Sequence, residues 1–367
     1  MRPYTGGEDQ GHRKEVYRVA MTYDIPYNWK RLGLVLPRDE RAGISSVAGD
    51  PCIVWDAELP GWRMVLFFSP PGHAHAICRS REDIGPGRWE MVGPLEFTNP
   101  GDLAGNSTHK PFFIMDAHRP NAAACINNLY WLVTVSHRSG HKVIQRAYAK
   151  LLGGPWTVER GVLIDTGPEL DFDSKHTDAV SAFHFPETND ILYFYMGYPS
   201  TPQDRKISRY GSAQAVAVQK GGESTARKLG IVLAPCEQKG HWASGWVGGL
   251  QLLPGAVHRW IAVMNASPTA PNPEDGAIYR EEPPPSLGGF AYCDEDWPVK
   301  GWKWCPKPIE WIEDIPAEAL GDGEGVNLWR QHILCLPGGK MALFYNSGSY
   351  GKEQLYLKIS ENGRPNQ

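Results

Sequence analysis

The residues best equipped for chemistry in this chain stand at the heads of short apolar runs. Gly49-Asp50-Pro51 leads into Cys52-Ile53-Val54-Trp55, His109-Lys110-Pro111 into Phe112-Phe113-Ile114, and His176-Thr177-Asp178-Ala179 into Val180-Ser181-Ala182-Phe183. Trp242 and Trp246 precede a fourth run, and Trp329-Arg330 open a fifth that contains His332. A carboxylate at a strand head commonly caps a turn. Two of them at corresponding heads, Asp50 and Asp178, point instead to acid-base or nucleophilic work, in which one group attacks or takes a proton and another gives one. His109, Lys110, Arg330 and His332 would add positive charge to the same place. Such charge suits a substrate carboxylate or phosphate, or simply neutralises the two aspartates.

These heads need a scaffold that brings them together, and the sequence repeats one. Each run is the first of several short apolar segments separated by turns, in units at approximately 49–95, 109–165, 176–234, 244–312 and 326–360. The openings lie about 60 to 80 residues apart, the size of a four-stranded sheet with generous loops. Five such sheets around an axis make a five-bladed β-propeller, a single all-β domain over residues 1–367 in which blade edges are short and protected. The fifth unit shows only three strands. Residues 15–21, Glu15-Val16-Tyr17-Arg18-Val19-Ala20-Met21, roughly alternate apolar and polar side chains and are the expected closing strand.

Composition narrows the partners. The 367 residues include 40 Gly, 31 Pro and 14 Trp, which favours one large all-β domain. A net charge of -4 without a Lys/Arg cluster leaves no footprint for nucleic acid or an anionic membrane surface. No segment is apolar for long enough to span a bilayer, and the polar N-terminus lacks a secretory core, so the expected location is cytoplasmic. Seven cysteines, with Cys52, Cys78, Cys125 and Cys335 in or beside apolar strands, read as buried free thiols. His137 and His141 flank a hairpin turn, His73 and His75 have no third ligand, and no Cys-x-x-Cys occurs. No metal and no dinucleotide cofactor is therefore expected.

With its Asp-Pro opening, this pattern resembles the five-bladed propeller glycoside hydrolases, family 43 in particular, with families 32, 68, 117 and 130 as relatives, over about residues 40–360. The resemblance implies a hydrolase that cleaves a glycosidic bond in the central funnel, furanosidase- or fructosidase-like, acting on an oligosaccharide or glycoside. In family 43 the first blade opens with a catalytic Asp-Pro, matched by Asp50-Pro51. The second opens with Ala-Pro, where Lys110-Pro111 stands, and the third with a second Asp, matched by Asp178 without its Pro. Asp50 would then be base or nucleophile, and Asp178 would hold the sugar and tune the acid.

The fourth blade should open with Glu-Gly-Pro, whose Glu is the general acid. Trp246 or Val247 occupies that place, and neither can donate a proton at neutral pH. Three loop residues are candidates instead: His241, which is similar to the histidine proposed for this role in family 117, Glu237 on the same loop, and Glu324. Candidate substrate contacts are His109, Lys110, His176, Trp242, Trp246, Trp329 and Arg330, the tryptophans either stacking on a sugar ring or packing in the core. Trp89, Trp156 and Trp304 close blades. The Pro-rich loop with Glu281 and Glu282 could wall one side of the funnel. Two other readings stay open: a glycoside phosphorylase using the basic residues for phosphate, and a propeller that binds carbohydrate without catalysis.

Overall fold

The computed structural model describes residues 22–39, 47–69, 72–103, 108–199, 211–268, 286–311, 314–315, 317–321, 323–325, 327–349 and 351–361. Within these, apart from short 3-10 turns, the regular structure is all β. No helix among them is long and apolar enough to cross a membrane. β1 (Trp29–Leu36) comes first in the chain but pairs last. The first antiparallel sheet runs in sequence order through β2 (Val47–Asp56), β3 (Gly61–Ser69), β4 (Ala74–Cys78) and β5 (Glu90–Pro94). Next come β6 (Thr108–Asp116), the short β7 (Cys125–Ile126), β8 (Leu129–Arg138), β9 (His141–Ala149) and β10 (Thr157–Val158), ordered 6-8-9-10 with β7 on the flank of β8.

A third meander holds β11 (His176–Phe185), β12 (Asp190–Tyr198), β13 (Ala213–Gln219) and β14 (Arg227–Leu233). A fourth holds β15 (Trp246–Pro254), β16 (Trp260–Ser267), β17 (Leu287–Cys293) and β18 (Lys303–Pro308). The last holds β19 (Gln331–Cys335), β20 (Met341–Ser347) and β21 (Gln354–Ser360), with β1 antiparallel to β21 as its fourth strand.

Burial grades across each meander, and the sequence dictates the gradient. β2, β11 and β15 are almost wholly buried, as strands covered on both faces are; β2 and β15 are largely apolar, whereas β11 also buries Thr177, Asp178 and Ser181. Their last partners β5 and β14 alternate exposed and half-buried residues, the pattern of a strand with one wet face. The first strands touch one another in cyclic order: β2 against β6, β6 against β11, β11 against β15, β15 against β19, and β19 against β2. β6 and β11 even exchange parallel pairings at Ile114–Ala182 and Met115–Phe183, joining two meanders into one sheet. Apolar contacts seal the seams. Ile53, Met64 and Leu66 meet Leu334, Phe344 and Leu357, while Leu253 and Val263 meet Ile333, Leu343 and Tyr356.

Two expectations change here. Among the described residues the strand that completes the last meander is Trp29–Leu36, while residues 15–21 lie outside the described residues. Gly33 at φ 102 and two register shifts interrupt β1, so its sequence lacks the clean alternation that marks an edge strand. All seven cysteines are free, but Cys125 is exposed rather than buried because it sits on the flanking β7. The Pro-rich loop carrying Glu281 and Glu282 lies outside the described residues.

Candidate active site

Four of the five first strands are broken near their heads by the same irregularity. The register slips between Gly49 and Cys52, His109 and Phe112, Asp178 and Ser181, and Gly248 and Gln251. Inside each slip one residue is left-handed: Asp50 at φ 51, Lys110 at 54, Ala179 at 46 and Gly249 at 65. A bulge of this kind re-aims side chains, and non-glycine residues held left-handed gather at functional sites. Matching the four strands on the bulge makes Asp50 the equivalent of Lys110, Ala179 and Gly249. Asp178 is one position earlier, the equivalent of Gly49, His109 and Gly248. The two aspartates therefore come from adjacent positions of the motif, not from the same one. In the fourth strand the corresponding pair is Gly248-Gly249 rather than Trp246 or Val247. A Cβ at Gly248 would lie 2.0 Å from the Met196 sulfur, so any side chain there would have to displace Met196.

Asp178 is the most strongly held charge of the site. Its buried carboxylate accepts the Lys110 ammonium at 3.0 Å on both oxygens, the Lys142 ammonium at 2.7 Å and the Ala179 N–H at 2.7 Å. His109 Nε2 stands 4.0 Å away. Burial raises this carboxyl, but the two lysines and His109 outweigh burial and hold it well below the ordinary aspartate range. Asp178 is thus a fixed anion and not a proton donor. Burial, with Lys142 adding to it, pushes His176 down to about 4, and its Nδ1 accepts the Lys142 backbone N–H at 3.1 Å. His109 is likewise pushed down by burial and packs against the rings of Phe67 and His137.

Asp50 is held differently. Its backbone N–H donates to Asn346 Oδ1 at 3.2 Å, and a side chain on neighbouring Gly49 would strike Asn346 at 2.6 Å, so the last meander clamps this bulge. Burial pushes the Asp50 carboxyl up; Lys110 and Arg330 pull against burial, and the Asp178 charge adds to it. Arg330 is buried, donates Nη2 to the Val180 carbonyl and lies over the Phe112 ring at 5.6 Å. Its Nη1 has no hydrogen-bond partner among the described residues. His332 is fully buried with Nε2 against the Ile53 backbone, and burial lowers it to about 3, so it is neutral and adds no charge.

The remaining sequence candidates are occupied elsewhere. His241 Nδ1 accepts the Ala243 N–H, which leaves Nε2–H facing the Cys305 carbonyl at 3.2 Å, between the rings of Trp242 and Trp304. Trp242 is fully buried against Gly289 and bonded to that same carbonyl at 2.8 Å, so it packs the core and cannot stack on a sugar. Glu237 is exposed on its loop. Trp246 and Trp329 do form a stacked pair, with centroids 6.1 Å apart and planes 14° from parallel.

Glu324 is saturated by Arg31, the Tyr345 hydroxyl at 2.5 Å and the Gly321 N–H at 2.8 Å. Arg31 belongs to β1 and also pairs with Glu310, which pairs with Lys358. Glu324 therefore ties the closing strand to the last meander. Its replacement by alanine should cost about 3 kcal/mol in urea unfolding, because Arg31 and Tyr345 lose a buried partner.

Sequence reasoning missed two residues. Lys142 follows the β8–β9 hairpin, and Glu353 immediately precedes β21. In an antiparallel meander the turn between second and third strands returns to the end where the first strand starts, so both hairpins stand with Asp50 and Asp178. That topological rule was the available signal.

No protein-family model matches the sequence, and no curated protein matches it. Solved structures do. One described as a glycoside hydrolase superposes with a TM-score of 0.66 at 13% identity, covering 94% of each chain. A thermostable family-43 glycoside hydrolase gives 0.57 at 13%, covering 89% of this chain and 96% of its own. An endo-arabinase from Bacteroides thetaiotaomicron gives 0.56 at 10%, covering 94% and 99%. At these identities the likeness is one of fold. The chain has the β-propeller-like fold of glycoside hydrolases, and family-43 enzymes are among those that share it.

Proposed function

We propose that the protein hydrolyses a glycosidic bond at the end of a five-bladed ring where the first strands begin, with Asp50 as base or nucleophile. The observation that carries this reading is the contrast between the two aspartates. Asp178 is locked between lysines, whereas Asp50 sits on a left-handed bulge with no ion-pair partner among the described residues. A glycosidase needs a carboxylate free to attack or to take a proton from water. Asp178 supports Asp50 through its charge and by fixing Lys110 and Lys142. Because both lysines are committed to Asp178, they are poorly placed to receive phosphate, which favours hydrolysis over phosphorolysis. The endo-arabinase among the structural neighbours supports an arabinose-containing substrate.

Incubation with a panel of 4-nitrophenyl furanosides and pyranosides, with and without inorganic phosphate, tests the reading. Nitrophenol release from at least one furanoside, independent of phosphate, is expected. Silence across the panel, with binding of the same sugars seen by calorimetry, would instead mark a carbohydrate-binding propeller.

A further inference from the structure

Eight aspartates and glutamates are buried among the described residues. Six of them are paired with a cation: Asp56 with Arg63, Asp116 with Arg119, Asp173 with Lys228, Asp178 with Lys110 and Lys142, Asp190 with Lys220, and Glu324 with Arg31. A buried charge without a partner is expensive, so such pairing is the rule. Asp50 and Glu353 break it. Neither has a lysine or arginine nitrogen within ion-pair distance among the described residues.

The two exceptions are also neighbours. The Glu353 carbonyl accepts the N–H of Ala48, two residues before Asp50, at 2.9 Å. Asn346, at the other end of the same hairpin, holds the Asp50 N–H. Glu353 is 6% exposed, and its Oε2 is buried with no hydrogen-bond partner among the described residues. The groups acting on its carboxyl are its own backbone N–H and that of Gly351, Asp50 from β2 and Lys110 from β6.

We propose that Glu353 is the proton donor that the fourth strand lacks, with Asp50 as its partner; this rests on the hydrolase reading above. Glu353 gives its proton to the glycosidic oxygen as the bond from that oxygen to C1 breaks, so the leaving group departs as an alcohol. The new bond at C1 is either to a water deprotonated by Asp50 or to Asp50 itself. In the second case water, deprotonated by Glu353, later releases the ester. Either way one water is consumed: in the first case Asp50 passes the proton it took to solvent and Glu353 regains one from solvent, and in the second the attacking water reprotonates Glu353, so both carboxyls return to their starting states. Burial, followed by the nearby Asp50 charge, pushes Glu353 up to about 7, which is where a donor at neutral pH works best.

The test compares Glu353→Gln and Asp50→Asn on the best sugar of the nitrophenyl panel, presented as its methyl and its 2,4-dinitrophenyl glycoside. Dinitrophenolate leaves without a proton, whereas methanol does not. Glu353→Gln should cut kcat/KM on the methyl glycoside by ~10²–10⁴-fold and far less on the dinitrophenyl one, and the alkaline limb of the pH profile should vanish. Asp50→Asn should silence both. Equal losses on the two substrates in Glu353→Gln, or an unchanged alkaline limb, would overturn the donor assignment while leaving Asp50 in place. Full turnover in Asp50→Asn would overturn the hydrolase reading itself. A second readout needs no substrate: by carbon-13 NMR the Glu353 carboxyl should titrate with a midpoint about 7, moving down in Asp50→Asn. A midpoint in the ordinary glutamate range removes the assignment.

Discussion

Replacing Asp50 with asparagine should abolish turnover and at the same time raise the melting temperature at neutral pH. Loss of a base or nucleophile costs about a thousandfold or more in kcat. The stability effect has the opposite sign because burial, reinforced by Asp178, raises the Asp50 carboxyl above its unfolded value. As pH climbs through the ordinary carboxylate range, the unfolded chain gives up this proton before the folded one does. Stability therefore declines as pH rises through that window. Asparagine keeps the shape and the Asn346 contact to the backbone but has no proton to lose, so the decline flattens. Calorimetric melting at pH 4 and pH 8 measures it. A variant that is inactive and also less stable at pH 8 would mean that the Asp50 charge is a structural partner, not a strained reactive group.

Asp50-Pro51 followed by Cys52-Ile53-Val54-Trp55 announces a buried strand with a carboxylate at its head, because local pattern fixes both. Asp178 was legible for that reason, but its one-position offset was not, since a bulge changes register without changing composition. β1 escaped notice because Lys30, Arg31 and Gly33 break its alternation, and Arg31 points to Glu324 and Glu310 from the far end of the chain. Glu353 sits in a polar hairpin, Ser347 to Gln354, that looks like any solvated turn. Its burial depends on Ala48 lying alongside, a contact across about 300 residues that no periodicity encodes. Trp242 shows the converse error. A tryptophan near a strand head suggests a sugar platform, yet Gly289 leaves room for its ring inside the core.

Replacing Asp178 with asparagine should be the most destabilising single change in the site. The lysine ammonium groups of Lys110 and Lys142 converge on one carboxylate, and each lysine side chain is only 19% exposed. Without the anion two cations face each other across a neutral amide, for which a loss of about 3–5 kcal/mol is expected. Replacing Lys142 with methionine in the same molecule should return part of that loss, because it removes one of the stranded charges; a double-mutant cycle in urea measures the coupling. The pH dependence follows from the depressed carboxyl. Its contribution is complete above the unfolded aspartate value of about 4 and fades only as pH falls toward the lower folded value. Acid unfolding of the wild type below pH 4 should consequently be steeper than that of Asp178→Asn. Activity provides the last check, since the Asp178 charge also helps to raise Asp50. Whatever turnover the folded Asp178→Asn protein retains should show its acid limb displaced to lower pH. A limb that stays in place would separate the two aspartates electrostatically and leave Asp178 with a purely architectural role.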